Sequence, residues 1–241
     1  MVPGPPAANR NGELKSTGMS RRRGRFITFE GGEGSGKSTQ AHLLGDRLRA
    51  AGRDVVVTRE PGGTPVGEQI REIFLGSGDD PIASTTEALL MSAARAEHVA
   101  KVIEPALAAG SWIISDRYID STYAYQGGGR GLPVRQLQKI QELATGLLLP
   151  DLTFLLDLPV TSGLERRKRI ASTNNRLDAE TVAFHERVRS GYHSLVAVDP
   201  VRWIVVDGTQ PIEAIASTIW REVSSRFGAW LEADAAINQV T

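Results

Sequence analysis

The chain of 241 residues contains no cysteine. Disulfides, thiolate nucleophiles and cysteine–zinc centres are therefore excluded, and the composition fits a reducing compartment. The chain also has no net charge, since 28 basic side chains are matched by 28 acidic ones. General nucleic-acid and membrane-surface binders carry a basic excess, so neither partner is expected and any anion site must be local. No apolar run approaches the roughly 20 residues of a membrane span. The longest, Leu147 to Leu158, is broken by Pro150, Asp151 and Asp157. Residues 1–24 lack the hydrophobic segment of a secretory signal, and a cytoplasmic location is expected. They are Pro/Gly/Asn-rich and then basic (Arg21, Arg22, Arg23, with Arg25 just beyond), and read as a disordered extension with Met19 as an alternative start.

The rest of the chain alternates short β-branched runs with longer helical patterns. Strands are expected at Phe26 to Phe29, Asp54 to Thr58, Trp112 to Ser115, Leu152 to Leu156 and Trp203 to Val206. Helices are expected at 37–51, 65–75, 85–109 with a bend at Pro105, 133–146, 161–170, 178–197 and 211–227. Strands spaced by helices, apolar without strict alternation, indicate an α/β fold: a parallel sheet covered on both faces. Ligands then sit at the carboxyl ends of the strands. No repeat or linker divides 25–227, which reads as one domain; the Ala-rich tail 228–241 has no assignment.

After the first strand, Gly31-Gly32-Glu33-Gly34-Ser35-Gly36-Lys37-Ser38 matches G-x-x-x-x-G-K-[ST] between a strand and a helix. The glycines let successive backbone N–H groups curl around phosphate oxygens, and the following helix adds its positive end. Lys37 would reach the β- and γ-phosphates and the Ser38 hydroxyl a magnesium ion. A P-loop NTPase three-layer sandwich that binds a nucleoside triphosphate with Mg²⁺ is the expected fold and ligand. A GTPase needs N-K-x-D and D-x-x-G motifs, but the sequence has no Asn-Lys pair and no Asp with Gly three residues later. An ATPase motor remains open, although only Leu155-Leu156-Asp157 offers a weak version of its acidic strand end and no strand is followed by an Asp-Glu pair. A kinase must hold two phosphorylated substrates against charge repulsion. Thr58-Arg59-Glu60-Pro61-Gly62-Gly63-Thr64 and Ser115-Asp116-Arg117-Tyr118 supply the polar strand ends for that task. Asp116 can hold magnesium, and Arg117 can clamp a phosphate with a bidentate fork.

Together with Tyr125-Gln126-Gly127-Gly128-Gly129-Arg130-Gly131, these segments resemble the bacterial thymidylate kinase family, in order and at ordinary spacing from about residue 25 to 227. The resemblance implies transfer of the ATP γ-phosphate to dTMP, giving dTDP, on a five-stranded nucleoside-monophosphate-kinase fold with a mobile lid, in a homodimer built from helices. It implies that residues 31–39, including Thr39, hold ATP. Arg71 contacts the acceptor phosphate, and Glu60 belongs to the same acceptor side. Arg95 hydrogen-bonds thymine, which suits a donor-only guanidinium facing carbonyl oxygens. Thr122 and Tyr125 meet the base and crowd the 2′ position, with Gln126 beside them. Where the family usually stacks a phenylalanine on thymine, this chain has Met91, whose thioether still makes favourable aromatic contacts.

The lid is expected at about 166–177, where Arg166, Arg167, Lys168, Arg169 and Arg176 surround a polar stretch. A cationic loop closing over ATP stabilises charge on the transferred phosphoryl and excludes water. The phosphate loop has no arginine of its own, which resembles the family variant whose lid supplies that charge; its motif is Asn175-Arg176-Leu177-Asp178 here. Lys37, Arg117, Arg166, Arg176 and Glu33 are the expected catalytic residues. Glu33 would orient magnesium-bound water or the acceptor sugar. Asp207-Gly208-Thr209-Gln210 falls where the family places adenine. His98, His185 and His193 read as structural or surface residues. No general base is required, since an acceptor phosphate is already ionised at neutral pH.

Overall fold

The five apolar runs form β1 (Phe26–Glu30), β2 (Val55–Arg59), β3 (Trp112–Asp116), β4 (Leu152–Asp157) and β5 (Trp203–Asp207). They make one parallel sheet in the order β2-β3-β1-β4-β5. The structure, a computed structural model, describes residues 23–76, 81–170 and 176–233. Most of the expected N-terminal extension, lid residues 171–175 and the chain beyond 233 lie outside the described residues.

Helices follow as α1 (Lys37–Ala50), α2 (Pro65–Leu75), α3 (Ser84–His98), α4 (Glu104–Ala108), α5 (Ile119–Thr122), α6 (Val134–Thr145), α7 (Val160–Ile170), α8 (Val182–Val198) and α9 (Ile212–Ala233). Successive strand residues point to opposite faces, and both faces are buried. Ile27, Phe29, Trp112, Ile114, Leu152, Phe154 and Leu156 pack on one face against Leu44 and Leu48 of α1 and Ile219 and Val223 of α9. Phe26 and Ile113 face the other way, against Val99, Ile103 and Leu107. Leu155 and Trp203 meet Phe184, Val188 and Tyr192 of α8 on that same side. This two-sided burial explains the runs without strict alternation.

Pro105 acts differently from the expected bend. The helix passes through a π-helical turn, Val99–Ile103, in which the Glu104 N–H reaches back to the Val99 carbonyl, and continues into α4. The wider turn makes room for a proline ring that would clash with the carbonyl four residues earlier. The α8 pattern starts later than residue 178 because Thr181 caps it, accepting from the Phe184 N–H at 3.2 Å. The closing helix runs past residue 227 to Ala233, across a kink at Phe227 (φ −122°, ψ 17°). Trp230 and Leu231 pack against the α1/α9 core there.

No helix is expected from the sequence between β3 and α6, yet α5 runs into a second π-helical segment, Tyr123–Gly129. Its glycines are there for close approach. A Cβ on Gly129 would lie 2.6 Å from the Phe184 ring, and one on Gly128 2.9 Å from the Arg187 carbonyl oxygen. Only bare backbone lets this segment lie against α8.

Candidate active site

All five strands point their carboxyl ends to one edge. The register sets Phe29 opposite Asp116 and Arg59 opposite the same Asp116, so the loops after β1, β2 and β3 converge. The loop from Gly31 to Gly36 uses left-handed backbone at Gly34 (φ 69°) and Gly36 (φ 92°), which glycine adopts at little cost. Gly34 also touches α7, since a Cβ there would sit 2.1 Å from the Gly163 carbonyl oxygen. Lys37 Nζ donates to the Gly32 carbonyl at 2.7 Å and the Ser35 hydroxyl at 3.2 Å. Burial and the Arg117 charge bring its pKa down to about 8, against the pull of Asp116 and Glu33. The Ser38 hydroxyl donates to Asp116 Oδ2. Asp116 Oδ1 is buried and has no hydrogen-bond partner among the described residues. Ser38 and Thr39 lie exposed on the first turn of α1.

Arg117 joins this loop to the neighbouring cavity. Its backbone is left-handed (φ 72°), which turns the side chain under the loop. Nη1 donates to the Gly31 carbonyl (3.0 Å), Tyr192 Oη (3.1 Å) and Ser121 Oγ (3.2 Å). Nη2 donates to Glu33 Oε1 (2.9 Å) and Tyr125 Oη (3.0 Å). Burial alone would raise the Glu33 carboxyl, but Arg117 and Lys37 outweigh it and hold it near 2. Glu33 is thus an ionised anchor for Arg117 and Tyr125. Glu30 is pushed up to about 7 by burial and by Asp120. It accepts from the Tyr118 N–H, Ser121 Oγ and Tyr192 Oη, and so fixes the turn that carries Arg117.

The cavity beside Arg117 is lined by Arg71, Met91, Arg95, Thr122, Tyr125 and Gln126, all of them expected site residues. Arg95 is 2% exposed, and four of its five N–H groups are engaged: with Glu60 Oε2 (2.7 Å), Thr122 Oγ1 (2.9 Å), Gln141 Oε1 (2.6 Å) and the Tyr118 carbonyl (2.9 Å). Glu60 also lines the cavity, but its second oxygen faces His98 Nδ1 at 2.9 Å, so it serves to hold Arg95. Arg71 donates to the Pro61 carbonyl at 3.0 Å. Met91 packs with Phe74, Tyr125 and Leu177 in the cavity wall. Gln126 donates through Nε2 to Glu87 at 3.2 Å, while its Oε1 is buried without a partner among the described residues.

Phe74, Leu177 and Glu87 were missed in the sequence. Phe74 follows Ile70 at helical spacing and reads as plain core. Leu177 stands inside the lid motif but had no role of its own there, and Glu87 belongs to no motif. The two expected lid arginines are not brought together. Arg166 donates to the Gly208 carbonyl at 2.8 Å, beside the loop after β5. Arg176 points the other way, to the Phe74 carbonyl at 3.1 Å and Glu87 Oε1 at 2.5 Å. Arg167 forks onto Asp178 at 3.0 and 3.1 Å. His98 bridges Thr58 and Glu60, His185 Nε2 lies 3.2 Å from the Leu177 carbonyl, and His193 lies 3.3 Å from Asp157.

A glycine loop with its lysine on a parallel sheet, beside a second cavity that holds arginines, defines a P-loop kinase of small phosphorylated acceptors. The family model described as thymidylate kinase matches residues 29–219. A thymidylate kinase from Thermomicrobium roseum is 55% identical over 199 residues, covering 83% of this chain and 94% of that protein. One from Magnetococcus marinus is 51% identical over 205 residues, covering 85% and 97%. The crystal structure of thymidylate kinase from Ehrlichia chaffeensis superposes with a TM-score of 0.68 at 32% identity, covering 83% of this chain and 99% of that one. The chain belongs to the thymidylate kinase family. It is an ATP-dependent phosphotransferase that converts dTMP to dTDP.

Proposed function

We propose that the reaction runs between the phosphate loop and the Arg117 cavity, with Arg117 as the link. That arginine touches the loop at Gly31 and the cavity at Ser121 and Tyr125, which is the observation that carries this reading. The N–H groups of residues 31–39 and Lys37 hold the ATP phosphates, with Lys37 exchanging the Gly32 carbonyl for a phosphate oxygen. Arg117 and Arg71 hold the dTMP phosphate. Glu33 keeps Arg117 in place, and Tyr125 crowds the sugar. Positioning and charge stabilisation suffice, because the dTMP phosphate is itself the nucleophile.

Ser38 and Asp116 fit a magnesium ion. Asp116 has one buried oxygen without a partner, and among the described residues no cluster of three or more His, Asp or Glu forms a closed cage. This matches an ion that keeps waters and uses phosphates as further ligands. When bound, Mg²⁺ neutralises the charge that builds on the phosphates. Arg166, beside Gly208, approaches from the ATP side as the lid charge. Arg176 holds the end of the lid against α2 and α3.

On the base side, Gln126 Oε1 accepts the ring N–H of thymine and the remaining N–H of Arg95 donates to its neighbouring carbonyl. Met91, Phe74 and Leu177 supply the apolar walls. The working unit is a homodimer that covers Ile73, Leu89 and Leu143, which are 58%, 51% and 89% exposed on α2, α3 and α6. Among the described residues no helix is long and apolar enough to cross a membrane, and the proposed location is the cytoplasm. Opposite kinetic splits test the roles. Lys37→Ala should abolish transfer with the fold intact, whereas Gln126→Ala should raise the dTMP KM about tenfold and leave the ATP KM unchanged. Equal effects of Gln126→Ala on both KM values would contradict this arrangement.

A further inference from the structure

We infer that Glu87, which lies behind the base cavity and outside it, is a positioning residue that decides which edge of a base the cavity accepts. The inference rests on the reading that Gln126 faces the base.

Glu87 sits in the first turn of α3 and is 1% exposed. Arg176 Nη1 lies 2.5 Å from its Oε1 and Arg130 Nη2 2.9 Å from the same oxygen. Arg130 Nε donates to Oε2 at 3.1 Å, and Gln126 Nε2 to Oε2 at 3.2 Å. Arg130 is held in turn by Glu180 at 2.5 Å, and Arg176 by the Phe74 carbonyl and the Phe74 ring, 4.8 Å from its guanidinium carbon. Two guanidiniums arriving from different segments therefore fix one carboxylate.

A carboxylate clamped in this way accepts hydrogen bonds and does not donate them. It tolerates only the NH₂ end of the Gln126 amide. The oxygen end is thereby turned away from Glu87; it is buried and has no hydrogen-bond partner among the described residues, and Gln126 itself lines the cavity. Without Glu87 the amide could rotate by half a turn and present a donor instead, because its two ends are nearly equal in shape. The fixed orientation gives the cavity one acceptor, Gln126 Oε1, and one remaining donor on Arg95. That pair suits a base edge with a ring N–H beside a carbonyl, as in thymine. It rejects an edge with a bare ring nitrogen beside an amino group, as in cytosine, where acceptor meets acceptor and donor meets donor.

The test uses the full chain, saturating ATP, and dTMP against dCMP as acceptors. Glu87→Gln keeps the size of the side chain but presents either end of its own amide, so both orientations of Gln126 become allowed. The kcat/KM for dTMP should fall about twofold, since half of the Gln126 amides keep the thymine-facing orientation, and the fall should come through the dTMP KM with the ATP KM unchanged. The kcat/KM for dCMP should rise about tenfold, the weight of one buried hydrogen bond made with the turned amide, so the dTMP:dCMP ratio drops at least about tenfold. In a Gln126→Ala background the same change should leave that ratio where Gln126→Ala put it, because the two residues act as one unit. Glu87→Asp keeps the charge between the arginines while drawing back from Gln126. It should reproduce the loss of selectivity and carries the test if the Gln variant does not fold. An equal loss with both acceptors, leaving the ratio unchanged, would overturn the inference and reduce Glu87 to an ion-pair node. If Gln126→Ala by itself leaves the ratio unchanged, the base reading fails first and the inference falls with it.

Discussion

Replacing Arg117 with lysine keeps the charge and removes the fork. The guanidinium makes five hydrogen bonds of 2.9–3.2 Å, spread over the phosphate loop, Glu33, Tyr125, Ser121 and Tyr192. An ammonium has three donors at one point and cannot span Gly31 and Glu33 together while also forking onto a phosphate. Hydrogen bonds to charged groups contribute about 1.5–3 kcal/mol each. Losing one or two of them against the acceptor phosphate gives a loss of about 3 kcal/mol, or roughly a hundredfold in kcat/KM for dTMP. The ATP KM should change by less than about threefold, because Lys37 and the loop N–H groups hold ATP without the fork. Steady-state ADP release with each substrate varied in turn separates these quantities, and circular dichroism confirms the fold. If the ATP KM rises as steeply as the dTMP KM, Arg117 serves the donor side and the proposed division of the site is wrong.

Three further outcomes follow from the same geometry. Lys37 has a pKa of about 8 in the free protein, and its charged form is the one that attracts phosphates; kcat/KM for ATP should fall as pH rises through about 8, while kcat stays level because bound phosphates favour the proton. A flat kcat/KM profile up to about pH 9.5 would show that the Lys37 charge is not needed for capture. Met91→Ala should raise the dTMP KM several-fold and spare the ATP KM, since Met91 lines only the acceptor cavity; an unchanged dTMP KM would leave it as ordinary helix core. Gly129→Ala places a methyl 2.6 Å from the Phe184 ring and should cost about 1–3 kcal/mol in urea unfolding; an unchanged midpoint would mean that α8 simply shifts away.

The strands were legible because each is a short apolar run, the central ones buried on both faces, as at Phe26 to Phe29 and Leu152 to Leu156; their order in the sheet was not. The phosphate loop was legible because its spacing is itself the mechanism. The π-helical turns were not. They depend on what the backbone meets, such as the Phe184 ring over Gly129, and three glycines in a row read as a loop. Motif positions pointed to Arg95 and Gln126, but the carboxylates they hydrogen-bond, Glu60 and Glu87, lie 35 and 39 residues away and carry no local signal of that pairing. Arg176 shows the same limit in reverse. Its place in a cationic stretch suggested a phosphate partner, whereas a distant carboxylate on α3 holds it.

The most direct test of the account is ADP release from ATP by the full chain, with Mg²⁺, across dTMP, dUMP, dCMP, dGMP and no acceptor at all. One site that joins ATP to a thymine-reading cavity predicts turnover with dTMP at least about tenfold above dCMP and dGMP in kcat/KM, label from the ATP γ-phosphate recovered in dTDP, and almost no ADP without an acceptor. Equal ADP release in the absence of any monophosphate, or equal use of dCMP and dTMP, would contradict it.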